Sequence, residues 1–119
     1  MVTKATFRKL ALSLPEATEA PHHEITSFRV SKKIFATLNS KENRATILLS
    51  PRDQDLFCVF DINVMFPVPN KWGKHGWTHI NLKTVPREMC SDALEAAYRQ
   101  VAPEKLKMLL KNPAAEDEF

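Results

Sequence analysis

The sequence predicts an α+β fold: an antiparallel sheet of four to six strands with helices packed on one face. Three observations predict it. Residues 24–50, EITSFRVSKKIFATLNSKENRATILLS, hold three short apolar runs separated by two polar, lysine-bearing turns. A further alternating run, Trp77 to Leu82, lies well downstream. Segments of helical periodicity flank these runs, giving the order α-β-β-β-α-β-α-α, and strands bracketed by helices in this way form an α+β sandwich.

The three runs of residues 24–50 are read as an antiparallel meander, because side chains on a strand alternate faces. Thr26, Phe28 and Val30 share a face opposite Ile25, Ser27 and Arg29. Ile34, Ala36 and Leu38 oppose Phe35, Thr37 and Asn39, and Ala45, Ile47 and Leu49 oppose Thr46 and Leu48. The first set of each run is almost wholly apolar, so Phe28, Ile34 and Ile47 are expected to face the helices. The second set is mixed, as in a sheet covered on one side. Ser31-Lys32-Lys33 is short enough for a hairpin, and Asn39 to Asn43 is rich in residues that tolerate turns.

Residues 3–14 are expected to form the first helix. Phe7, Leu10, Ala11 and Leu14 make one stripe, Thr3 or Thr6 can cap the start, and Pro15 ends it. PEATEAPHHE, with two prolines, three acids and no periodicity, reads as a surface loop. Ser50-Pro51-Arg52-Asp53 is a helix start: a capping serine, proline at the first position and an acid near the positive end. This helix should run from 51 to 62 and lie on the apolar face of the sheet. Phe66-Pro67-Val68-Pro69 is extended, since proline holds its predecessor in that region. Residues 70–76 form a loop with both glycines, Gly73 and Gly76. Thr78, Ile80 and Leu82 then alternate with Trp77, His79 and Asn81 in a strand that joins the meander's sheet. Thr84-Val85-Pro86 opens a helix with Met89, Ala93, Leu94, Ala97, Tyr98 and Val101 on one face. Pro103 interrupts it, Leu106, Leu109 and Leu110 supply a last stripe, and Asn112-Pro113 stops it.

A chain of 119 residues fits one domain, here residues 1–112, with the acidic residues 113–119 as a frayed tail. No run of about 18 apolar residues exists, so no membrane association is expected. The N-terminal stretch, interrupted by Arg8 and Lys9, reads as an amphipathic helix rather than a signal peptide, and the chain as cytoplasmic. Cys58 and Cys90, 32 residues apart and outside any CxxC, read as small apolar residues.

Net charge is +3, and residues 25–83 hold nine basic against four acidic side chains. Such basicity permits a polyanionic partner without requiring one. No metal site or cofactor is expected. His22 and His23 are adjacent on a loop, His75 and His79 straddle a loop-strand junction, and no HExxH or CxxC is present. No GxSxG or phosphate-binding glycine loop occurs, so no catalytic residues are assigned and an enzyme is not expected. The informative surface is the second face of the sheet, where Ile25, Ser27, Arg29, Phe35, Thr37, Thr46, Leu48, Trp77, His79 and Asn81 would stand. Sheets that read single strands combine aromatic rings for stacking with basic groups for phosphates. The candidate nucleic-acid-binding residues are Arg29, Trp77 and His79 on that face, Lys32, Lys33, Lys41 and Arg44 in the hairpin turns, and Lys71 and Lys74 in the glycine loop. The bland alternative is that Phe35 and Trp77 pack against neighbours and the lysines are solvated turn tips. A protein-interaction or small-ligand module, using the same face or the cleft near Trp72, Gly73 and Trp77, is the alternative function. A monomer is the expected state.

SFRVSKKIFATL (residues 27–38), VPNKWGKHGWTHINL (68–82) and the helical end resemble the MmcQ/YjbR-like proteins, small bacterial domains of largely unassigned role. The resemblance runs from the first helix to Leu110. It implies a fold akin to frataxin and CyaY, a sheet with helices on one side. It also implies DNA binding by two hairpin wings, which would be Ser31 to Lys33 and Ser40 to Arg44 here. It carries over no catalytic residues. Family members often have glycine where this chain has Lys32. The frataxin likeness does not bring iron binding, because the first helix carries Lys4, Arg8 and Lys9 in place of an acidic ridge.

Overall fold

The computed structural model of the chain describes residues 1–22 and 24–110. The first helix, α1 (Lys4–Leu12), begins where the Thr3 hydroxyl accepts the Thr6 amide at 3.0 Å and ends at its cap Ser13, two residues before Pro15. The next segment departs from expectation. Thr18–His22, read as loop, is a strand, β1, paired antiparallel to β2 (Ile25–Val30). Proline is tolerated at a sheet edge, and β1 is an edge strand, so Pro21 does not prevent pairing.

The meander forms as expected from β2, β3 (Lys33–Asn39) and β4 (Arg44–Leu48). Its first turn closes with two central residues, Ser31 and Lys32, at φ 50° and 69°. Two-residue hairpins of type I′ require positive φ at both positions and usually recruit glycine or asparagine. The tight turn therefore forms here with no glycine at either central position.

The strand register contains the main correction. Phe28 pairs with Ala36, but Arg29 pairs with Ile34, leaving Phe35 as an extra residue on β3. Such a bulge restarts the alternation. Phe35 and Ala36 are both fully buried, and Ile34 turns to the opposite face. Phe35 was expected on the open face and Ile34 in the core; the bulge exchanges them. Phe28 and Ile47 are buried as expected.

After β4, α2 (Pro51–Phe60) starts as its sequence dictates, with the Ser50 hydroxyl accepting the Asp53 amide at 3.1 Å. It ends at Phe60 rather than residue 62. It does not lie across the apolar face: none of its residues is fully buried, and it packs against β5 (Met65–Pro67) at the far edge of the sheet. The central strands are already covered by α1 and α4 (Arg87–Val101). Residues 70–76, expected as loop, contain a short helix, α3 (Lys71–Lys74), capped by Asn70. β6 (Trp77–Asn81) follows, and α5 (Glu104–Lys107) closes the described chain beyond the Pro103 break. The expected stop at Asn112-Pro113 and the acidic tail lie outside the described residues.

The six strands take the order β1-β2-β3-β4-β6-β5, with every neighbouring pair antiparallel. The core lies between this sheet and α1 and α4. Phe7 of α1 meets Phe28 edge-on at 5.8 Å, and Phe35 meets Tyr98 of α4 edge-on at 5.7 Å. The Tyr98 hydroxyl donates to the Pro15 carbonyl at 2.6 Å, tying α4 to the end of α1. Cys90, Ala93, Leu94 and Ala97 complete the inward face of α4, while Met89 and Val101 are half-buried. Both cysteines are free thiols. Burial pushes the Cys90 thiol up to about 12, so it stays protonated and acts as a packing group.

Candidate nucleic-acid interface

With α1 and α4 on one side, the other side of the sheet stays open. Cross-strand pairing aligns its side chains: Ser27 with Thr37, Thr37 with Thr46, Thr46 with His79, and His79 with Phe66. Leu48 pairs with Trp77, and Ile34 with Arg29. Over this surface lies a groove of about 370 Å³ bounded by Ile34, Thr37, Thr46, Trp72, Trp77 and His79, with Ile25 and Val68 at its ends.

Each wall has a local cause. Ile34 is present because of the Phe35 bulge. Trp72 is present because α3 folds back against the sheet, and two glycines permit that approach. A Cβ on Gly73 would sit 2.0 Å from the Val68 carbonyl oxygen, and one on Gly76 would sit 1.9 Å from that of Leu49. Gly76 also has φ +102°, in the region that favours glycine. Gln54 of α2 anchors the loop from beneath: its side-chain amide donates to the Gly73 carbonyl at 2.9 Å and the Thr78 hydroxyl at 3.1 Å.

His79 is the fixed polar group of the floor. Its Nδ1 and Thr46 Oγ1 are hydrogen-bond partners at 2.8 Å, and the Phe66 ring meets it edge-on at 5.4 Å. Burial first, and then the Arg44 charge, hold its pKa below the ordinary histidine value. The imidazole is therefore neutral near pH 7 and offers one donor and one acceptor. Trp72 is about half exposed, and Lys71 Nζ stands 5.8 Å from its ring centroid, within cation–π range.

The candidate cations divide into two groups. Arg29, Lys32 and Lys33 lie at the β2–β3 turn end of the sheet. Lys71 and Lys74 lie on α3, which leads into Trp77 at the same end, because Leu48 at the end of β4 pairs with Trp77. Between these two clusters lie β3, β4 and β6, about 10–15 Å at the usual strand spacing. None of these five forms an ion pair among the described residues. Arg29 is half-buried, with Nε donating to the Ser27 hydroxyl at 3.1 Å. Ser27 is fully buried and in turn donates to the Ala20 carbonyl at 2.9 Å. Lys41 and Arg44 lie at the other end, and Arg44 pairs with Glu42 at 3.6 Å. Consecutive turns of a meander lie at opposite ends, about 23 Å apart for a seven-residue strand, so the two hairpin tips, Ser31 to Lys33 and Ser40 to Arg44, are not neighbours.

Sequence reasoning named Ile25, Thr37, Thr46, Trp77 and His79 for this face and Trp72 for a cleft beside Trp77, and missed Ile34 and Val68 as groove walls. Leu48 and Asn81 lie outside the groove lining; Asn81 borders a separate cleft with Arg44 and Phe66. Among the described residues, no three His, Cys, Asp or Glu side chains converge as a metal site would require. No helix among them is long and apolar enough to cross a membrane.

Comparison with known proteins places this architecture. A search of curated proteins finds no match. Among solved structures, the crystal structure of Deinococcus radiodurans protein DR2400, with domain DUF419, is similar at a TM-score of 0.73 and 22% identity. The alignment covers 99% of this chain and 88% of that chain. At that identity the likeness concerns the fold. The family model YjbR matches residues 12–100, from the end of α1 nearly to the end of α4. The chain belongs to the YjbR family.

Proposed function

We propose that the chain is a nucleic-acid-binding module that holds a single strand, DNA in the first instance, across the open face of its sheet. One observation carries the reading: the two tryptophans of the groove and five cations without ion-pair partners among the described residues lie at the same end of the sheet. A base stacks against Trp72 or Trp77 and meets the neutral His79. The flanking phosphates reach Lys71 and Lys74 on one side and Arg29, Lys32 and Lys33 on the other. Aromatic stacking tolerates any base, and lysine contacts follow the backbone, so binding is expected to be weakly sequence-selective.

Fluorescence anisotropy of a labelled single-stranded oligonucleotide, titrated over salt, tests this. We expect affinity to fall steeply as salt rises, and the Lys71→Ala, Lys74→Ala double variant to flatten the slope by roughly 1.4. Lys41→Ala, at the opposite end, should leave the slope unchanged. Absence of binding at about 50 mM salt, where phosphate contacts are strong, would remove the proposal. The apolar walls Ile25, Ile34 and Val68 favour a second reading, in which a small planar ligand or peptide occupies the groove; its binding would be nearly independent of salt.

A further inference from the structure

The face of α2 that the fold leaves bare is the least expected surface of the molecule. Leu56 is 62% exposed, Val59 84% and Phe60 64%, and Ile62 in the following turn 59%. Leu56, Val59 and Phe60 fall at i, i+3 and i+4, one ridge of the helix. The inward side carries Gln54, Phe57 and Cys58, which are half-buried. At roughly 120–150 Å² for each such side chain, the bare patch is on the order of 500 Å², as large as the largest patch on typical monomers. Solitary exposed apolar residues need no partner, whereas a patch of this size, three residues on one helix ridge and one in the turn after it, marks an interaction site.

We propose that α2 and the turn after it form an isologous contact with a second copy of this chain, in place of the monomer expected from the sequence. Area argues for a copy: two such patches face to face remove about 1,000 Å², near the threshold for a specific interface. The layout of the ridge argues for it too. In a two-fold contact residue i meets j and j meets i. An antiparallel pairing centred between Leu56 and Val59 sets each Leu56 against the other copy's Val59. Charge selects this orientation over the parallel one. Parallel helices would align their dipoles and place the two exposed Asp55 carboxylates side by side. Antiparallel helices oppose their dipoles and bring exposed Arg52 toward the C-terminal end of the other copy's helix, where Asp61 lies. The patch shares no residue with the groove on the open face, so it stands independently of the nucleic-acid reading.

Light scattering after size exclusion, over about 1–300 μM of the full chain, reads the state directly, since a contact near the threshold area should be concentration-dependent. We expect the mass to rise from 13.6 kDa toward twice that value as concentration increases. Val59→Glu alone and Leu56→Lys alone should each hold the mass at that of one chain. Their thermal unfolding, followed by circular dichroism as dilute monomers, should match the parent, because both side chains are exposed. Mixing the two variants should restore the dimer, because one copy's new lysine then meets the other's new glutamate. A single-chain mass throughout, a dimer that survives both substitutions, or failure of the mixed variants to associate would overturn the proposal.

Discussion

Phe35 and Ile34 sit on faces that simple alternation assigns the other way round, and the exchange has an energetic signature. Phe35 is fully buried against Tyr98, so Phe35→Ala should cost about 3–5 kcal/mol, the range for large aromatic truncations in cores. Ile34 is half-buried on the open face, so Ile34→Ala should cost about 1 kcal/mol or less. Urea unfolding of the two variants checks the order, and equal costs would contradict the bulge. Parity could not place these residues, because a bulge inserts one residue without requiring glycine or any other marker in the sequence. His79 supplies a second residue-scale expectation. Its folded pKa lies below the ordinary 6.5, so between those values the unfolded chain binds more protons. Its contribution to stability is therefore complete above about pH 6.5 and is lost as pH falls through the lower folded value. Urea midpoints at about pH 7.5 and 5.5 should show the parent losing more stability than His79→Asn, which keeps polarity without titrating.

Among the elements, those with a strong local code were legible, and those held by tertiary context were not. α1, α2 and α4 announce themselves by caps, proline positions and apolar stripes. The meander announces itself by alternation and by its turns. β1 does not, because an edge strand with Glu19 and Pro21 carries no apolar face and exists only by pairing with β2. α3 is four residues long and depends on Asn70, Gly73 and Gln54 from another element. The position of α2 was misread because its stripe suggested burial, whereas α1 and α4 had taken the central strands. The β2–β3 turn gives this scale its test. Lys32 at φ 69° carries a left-handed conformation that glycine adopts freely, so Lys32→Gly should raise stability by about 1 kcal/mol. A thermal midpoint lower than the parent's would show that the lysine side chain holds the turn by a contact of its own.

At the scale of the molecule, the fold sorts a modest surplus of basic residues into a pattern that sequence order conceals. Counting along the chain grouped Lys32, Lys33, Lys41 and Arg44 as paired hairpin tips. The meander separates them by the length of a strand, and the β4–β6 pairing brings Lys71 and Lys74 to the Lys32 end instead. The same pairing assembles Trp77 and His79 with Thr46, residues more than thirty positions away in the chain. Thus the division into a covered and an open face was readable from the sequence, while the groove on the open face required the bulge, the strand order and the helix at Trp72. The most direct test of that face as the binding surface is to map amide chemical-shift changes while a short single-stranded oligonucleotide is titrated at low salt. We expect the changes to concentrate on Ile34, Thr37, Thr46, Trp72, Trp77 and His79, with the helical face formed by α1 and α4 unaffected. Changes centred on α1 or α4, or no changes at all, would contradict it.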